Sequence, residues 1–308
     1  MAIFQTILVP LDGSQLAETA IPMAVTLSRV TGAEIVLLRV LEEMRPIYDT
    51  ECREVIWVDP ANPRLELLAP EILQPTVTRL AQEGLSVQAV IRLGDPRTEI
   101  IDEAERHPAP VIVMASHGRG GLSRVLLGSV ATRVLQAAPC PVLIVRARAA
   151  GQQPETVTLK SIAVPLDGSK LAEQALDIAA PLARAAGATI HLVRVAETYY
   201  EIVSPPPEVF TQPIAKPTLE MFERLENEAE EYLAATAERL EQESIPVTWE
   251  VLSGDPGKEL LDYVDRARPD LMVITTHGRG GLSRWFYGSI ADKLVTASEV
   301  PVLLVRAR

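Results

Sequence analysis

Short apolar blocks alternate along this chain with longer stretches in which apolar residues recur every three or four positions, the pattern of strands alternating with helices. Residues 6–11 form the first block. Leu16, Ala20, Ala24, Leu27 and Val30 then recur at helical spacing, with Ser14 placed to cap the helix. The alternation predicts a strand at 34–41, a helix at 65–83 and a strand at 86–92. A helix at 96–106 follows, for which Asp95 is a cap and Pro96 suits the first helical position. A strand at 111–115, a glycine-rich loop, a helix at 129–137 and a strand at 142–145 complete the unit. Pro22 and Pro181 fall within the first helix of their respective halves, so a local kink is expected at each. Segments 42–64 and 197–217 break the pattern, the second through Pro205-Pro206-Pro207, and are expected to be surface excursions.

The same pattern occurs twice. Ile7-Leu8-Val9-Pro10-Leu11-Asp12-Gly13-Ser14 aligns with Ile162-Ala163-Val164-Pro165-Leu166-Asp167-Gly168-Ser169 at an offset of 155, which also carries Val40 onto Val195. Gly94-Asp95-Pro96 matches Gly254-Asp255-Pro256, and His117-Gly118-Arg119-Gly120-Gly121-Leu122-Ser123-Arg124 recurs unchanged from His277 to Arg284 at an offset of 160, so the second copy has gained five residues. A period this long means duplicated domains, not a solenoid of small repeats. The small and polar run Ala149-Ala150-Gly151-Gln152-Gln153-Pro154-Glu155 sets the expected boundaries: a domain at 1–148, a linker at 149–158 and a domain at 159–308. The expected fold is α/β, two tandem doubly wound domains, each a five-stranded parallel sheet of order 3-2-1-4-5 flanked by helices.

A length of 308 residues and 47% hydrophobic content let each half bury its own core. The net charge of −12 argues against nucleic-acid and membrane-surface partners, both of which call for a basic face. The apolar runs are far shorter than the roughly 20 residues of a membrane helix. Two cysteines, Cys52 and Cys140, fit neither a disulfide framework nor a zinc site. With no export signal visible in the first residues, a cytoplasmic location is expected.

Open parallel sheets take ligands beyond the carboxyl ends of their strands, where strand order reverses. At that point the loop after strand 1, Pro10-Leu11-Asp12-Gly13-Ser14, meets the loop after strand 4, Ser116 to Gly121, which leads to Gly128-Ser129 at a helix start. Glycines allow close approach by phosphate, and the helix start supplies N–H groups and a positive dipole end. Arg119 and Arg124 add charge, and Asp12 is suited to ribose hydroxyls or, equally, to a turn or cap. Neither the P-loop pattern nor the G-x-G-x-x-G spacing is present. His107 and His191 are isolated histidines, the first near a helix end and the second in a strand, and no spacing of His, Asp and Glu suggests a dedicated metal site.

At these residues both halves resemble the universal stress protein family, and the whole chain resembles its tandem-domain members. The family pattern is G-x-x-G, nine residues, then G-[ST], after an early strand ending in aspartate. Gly118 with Gly128-Ser129, and Gly278 with Gly288-Ser289, match it; Ala115 and Thr275 replace its first glycine. The bulkier threonine makes the first copy the stronger expected site. The resemblance implies that Pro10, Asp12, Val40, Ala115, Ser116, His117, Gly118, Arg119, Gly121, Gly128, Ser129 and Val130 surround ATP or another adenine nucleotide, with Asp12 at the ribose or adenine side and the Val40 backbone at the adenine. Pro165, Asp167, Val195, Thr275, Thr276, His277, Gly278, Arg279, Gly281, Gly288, Ser289 and Ile290 are the second copy's counterparts. Magnesium would arrive on the phosphates. The resemblance further implies that the last strands, at 141–146 and 301–306, pair across the two halves, with a homodimer as a further association.

Three functions stay open at this point. The first is a stress-response regulatory protein that binds ATP. The second is a slow ATP hydrolase or phosphotransferase using His117 and His277 as acid–base groups. The third is a nucleotide-independent interaction module working through the long loops, with Trp57, Tyr199, Tyr200 and Phe210 displayed on them.

Overall fold

Short runs such as Val111-Ile112-Val113 have no polar face to turn to water, so they settle where a sheet is covered on both sides. The computed structural model describes the backbone of residues 3–41, 47–48, 55–56, 63–116, 127–146, 157–196, 219–276 and 288–307, and for 47–48, 55–56, 63–72 and 219–222 the backbone alone. The chain divides into two compact units, Met1–Val157 and Thr158–Arg308.

The first unit runs β1 (Thr6–Pro10), α1 (Gln15–Glu18), α2 (Ile21–Thr31), β2 (Glu34–Leu41), β3 (Ile47–Tyr48), β4 (Val55–Ile56), α3 (Pro63–Gln82), β5 (Val87–Leu93), α4 (Pro96–Glu105), β6 (Pro110–Ala115), α5 (Ser129–Ala137) and β7 (Val142–Val145). Its main sheet has the order β5-β2-β1-β6-β7, all pairs parallel. The second unit repeats this as β8 (Ser161–Pro165), α6 (Lys170–Glu173), α7 (Leu176–Ala186), β9 (Thr189–Ala196), α8 (Leu219–Gln242), β10 (Val247–Ser253), α9 (Pro256–Ala267), β11 (Leu271–Thr276), α10 (Ser289–Ala297) and β12 (Val302–Arg306). Its order is β10-β9-β8-β11-β12. Each sheet thus has the expected arrangement 3-2-1-4-5. Ile7, Leu8, Val9, Ile35, Leu37, Val111 and Ile112 are fully buried in the first unit, as are Ile162, Val164, Ile190, Leu271 and Val273 in the second. No helix among the described residues is long and apolar enough to cross a membrane.

One expectation needs correction. The first helix of each copy is two helices, broken at Thr19-Ala20 and at Gln174-Ala175. Pro22 therefore kinks nothing: it sits at the start of α2, where a missing N–H is harmless. Nor does proline cause the break, because Asp177 holds the matching position in the second copy. The residues at both breaks donate three positions back, Thr19 to the Leu16 carbonyl at 3.2 Å and Ala175 to the Ala172 carbonyl at 3.0 Å, the tight geometry that ends a short helix. Pro181 does lie inside α7. Of the excursions, the described residues include the β3–β4 hairpin and the start of α3; 197–217 and the rest of 42–64 lie outside them.

The units differ where α4 and α9 pack. In the first, Glu103 is buried at 2% exposure and meets Arg92 at 2.7 Å, Arg106 at 2.8 Å and His107 at 3.1 Å. In the second, Tyr263 fills the equivalent place, with the Arg266 guanidinium 5.8 Å from its ring centre. Burial works against a charged Glu103, but hydrogen bonds from Arg106, His107 and Arg92 outweigh it and hold the carboxyl below its usual range. A carboxyl with a lower pKa folded than unfolded stabilises above its unfolded pKa and loses that contribution as pH falls through its folded pKa. E103Q should therefore cost the first unit about 1–3 kcal/mol at neutral pH. In urea unfolding of the full chain, the gap from the parent should narrow as pH drops below about 4; a gap independent of pH would contradict this account.

Candidate functional site

The site is built by strands of unequal length. β1 ends at Pro10 opposite Leu38, whereas β2 continues to Leu41. Glu34 donates toward β1, to the Gln5 carbonyl at 3.1 Å, and Ile35 toward β5, to the Ser86 carbonyl at 2.9 Å. Backbone groups in a parallel ladder alternate sides, so Leu38 faces β1 again and accepts from the Leu11 N–H at 2.8 Å. Val40 follows on the same side, past the last paired residue of β1. In the second copy Thr189 donates to the Lys160 carbonyl at 2.9 Å and Val193 accepts from Leu166 at 2.8 Å, which turns the Val195 peptide groups toward the β8 side in the same way.

Below this edge lies the turn after strand 1. Asp12 Oδ1 accepts from the Ser14 N–H at 2.9 Å and the Ser14 hydroxyl at 2.6 Å, while Ser14 Oγ accepts from the Ala17 N–H at 3.1 Å and caps α1. Asp167 Oδ1 accepts from the Ser169 N–H at 2.8 Å, and Ser169 caps α6 at 3.1 Å. Each aspartate therefore organises its own turn. Pro10 and Pro165 are the half-buried last residues of their strands.

Across the crevice, β6 ends at the buried Ala115, and Ser116, also buried, extends it by donating to the Val145 carbonyl at 2.9 Å. The Ser116 carbonyl accepts from the Gly128 N–H at 3.0 Å, tying the strand end to the start of α5. Gly128 and Gly288 cap α5 and α10 without a side-chain bond, and the ladders begin with Thr132 to Gly128 at 2.9 Å and Asp292 to Gly288 at 3.0 Å. First-turn N–H groups therefore lie ahead of each ladder, beside Ser129 and Val130 or Ser289 and Ile290. Thr275 is half-buried where Ala115 is buried, and the Thr276 carbonyl accepts from the Ala307 N–H at 3.1 Å. His117, Gly118, Arg119, Gly121, Arg124, His277, Gly278, Arg279 and Gly281 lie outside the described residues. Among those described, no three His, Cys, Asp or Glu side chains converge as a metal set.

Two residues that sequence reasoning passed over stand beside the turn. Arg39 Nη1 donates to the Leu11 carbonyl at 3.2 Å. Arg194, its counterpart, lies 3.3 Å from where a Cβ on Gly168 would stand and 5.0 Å from the Tyr232 ring centre. The available signal was an arginine repeated at the offset of 155, directly before Val40 and Val195.

Residues 3–146 and 158–306 each match the family model described as "Universal stress protein family". The chain is 30% identical over 230 residues to a universal stress protein of Mycobacterium tuberculosis, covering 73% of this chain and 71% of that one. It is 27% identical over 316 residues to one from Mycolicibacterium smegmatis, covering 98% and 97%. A universal stress protein from Archaeoglobus fulgidus shares the fold, with a TM-score of 0.72 at 22% identity over 98% of each chain.

The two helix starts also differ in backbone. Gly128 has φ −61°, open to any residue, whereas Gly288 has φ 85° and ψ 138°, a region that side chains disfavour. G288A should lower the stability of the second unit by about 1–3 kcal/mol, against at most about 1 kcal/mol in the first unit for G128A. Equal losses on chemical denaturation would contradict the difference.

Proposed function

The chain belongs to the universal stress protein family, and on that premise we propose that it is a stress-response regulatory protein that binds an adenine nucleotide, ATP by preference, in its first copy. The observation that carries this reading is the Val40 peptide, aimed past the end of β1 above the Asp12 turn and at the same end of the sheet as the Gly128 helix start. In this reading the three groups serve base, sugar and phosphate in turn. A peptide N–H and C=O suit the edge of adenine, a carboxylate suits ribose hydroxyls, and first-turn N–H groups suit phosphate.

In this reading Asp12 takes the ribose, the Val40 backbone the adenine, and Ser116, Gly128, Ser129 and Val130 the phosphates. His117, Gly118, Arg119 and Gly121 belong to the same phosphate loop. Asp167, Val195, Thr276, Gly288, Ser289 and Ile290 form the second copy's site, completed by His277, Gly278, Arg279 and Gly281. Magnesium enters with the phosphates. A chain of net charge −12 gains nothing from its overall field in attracting ATP, so the local N–H groups carry that task.

Calorimetric titration of the full chain with ATP tests this. Asparagine at position 12 keeps an acceptor for Ser14 but loses the charge, so D12N should weaken ATP binding about tenfold with little change in melting temperature. A chain that neither retains nor binds any adenine nucleotide would overturn the proposal.

A further inference from the structure

Asp12 is restrained on two sides. Its carboxylate is held through Oδ1 by the Ser14 N–H and hydroxyl. The peptide that precedes it is held through Leu11, whose N–H donates to the Leu38 carbonyl at 2.8 Å and whose carbonyl accepts from Arg39 Nη1 at 3.2 Å. Fixing the Leu11 carbonyl fixes the peptide plane that carries the Asp12 N–H and places the Asp12 Cα, and the bonds from Ser14 to Oδ1 then set the direction of the side chain from that point. Arg39 itself projects from β2, where its backbone is tied to β5 through the pairing with Ile91, so the brace stands on the sheet and not on a loop.

The second copy has the same arginine in a different setting. Tyr232 of α8 donates its hydroxyl to Glu173 Oε1 at 3.1 Å, and Arg239 holds the other oxygen of Glu173 at 3.3 Å. Arg194 lies over the ring of this anchored tyrosine and against Gly168. A cation over an aromatic face is held about as well as by a hydrogen bond to a carbonyl. In the first copy the position matching Tyr232 is Ile72, which offers a cation no such face.

We propose that Arg39 is a positioning residue for the first nucleotide site, setting the aim of Asp12 toward the ribose, and that Arg194 is diverted onto Tyr232 and does not serve Asp167 in this way. The proposal rests on the reading of Asp12 as the ribose ligand. Its consequence is a difference in sugar recognition between the copies, because only a carboxylate set in place before binding gives the full difference between a ribose hydroxyl and its absence.

The test is competition by ATP, deoxy-ATP and dideoxy-ATP against photoactivated azido-ATP on the full chain, with labelled peptides of residues 1–157 and 158–308 read separately. In the parent, ATP should compete better than dideoxy-ATP at the first copy by about tenfold. R39M should reduce that ratio toward the value in D12N, while dideoxy-ATP binds as before. The R39M–D12N pair should show no further loss beyond D12N, since both act through one contact. R39K, which can still reach the Leu11 carbonyl, should restore most of the ratio, and R194M should leave the second copy's ratio unchanged. If R39M fails to fold, R39L carries the same comparison. A folded R39M or R39L with the parent ratio, or one that weakens all three nucleotides equally, overturns the role of Arg39. If D12N leaves every affinity unchanged, it is the ribose reading of Asp12 that fails.

Discussion

The alternation of backbone hydrogen bonds along β2 is the constraint on which the candidate site depends. Even-numbered residues from Glu34 onward face β1 and odd-numbered residues face β5, so once Leu38 has accepted from Leu11 the next peptide on that side belongs to Val40. No side chain is needed to put it there. Strand lengths do the rest: β1 stops at Pro10, which has no N–H to give, and its loop falls away toward Asp12 just where β2 continues. A shift of one residue in this register would turn Val40 toward β5 and remove the edge.

Duplication preserved this geometry while the means of securing it diverged. The capping aspartate after β5 is chelated by Arg97 of its own helix, with Arg97 Nη2 donating at 2.8 Å. In the second unit Gly257 stands at the matching position, and the cation comes instead from Lys293 of α10, at 3.2 Å from Asp255. A Cβ there would lie 2.6 Å from Lys293 Cδ, so a larger residue would displace the lysine side chain from its present path. The exchange of Glu103 and its cations for Tyr263 follows the same logic, a buried polar cluster in one unit answering to an aromatic ring in the other. Each position satisfies its own burial and charge, so one fold tolerates two solutions.

The loops that would cradle phosphate are the more uniform in sequence, yet the helix starts that receive them are not uniform in backbone. Gly128 is extended and bonded back to Ser116, whereas Gly288 adopts a positive φ. Glycine at both places hides the difference from a reader of the sequence, because it is the residue that permits either conformation. A repeated Gly-Ser is evidence of a shared helix start, and the approach of the chain to that start is a separate matter.

What the sequence by itself determined is the architecture. Apolar periodicity and the repeat offsets located nearly every strand and helix, Asp95 and Ser14 announced caps that the structure bears out, and a parallel sheet covered on both faces followed from alternation, with the expected order 3-2-1-4-5 found in each unit. These are local signals, carried by residues close in the chain. The break after α1 escaped it, since proline was the visible cue and the bonds at Thr19 and Ala20 that end the helix leave no mark in composition. Tertiary structure alone decided how Arg39 and Arg194 are used: identical residues at identical offsets face a carbonyl in one copy and a tyrosine ring in the other, because the partner comes from a helix far along the chain. Contacts between distant segments depend on where the sheet brings them, and spacing in sequence does not record that distance.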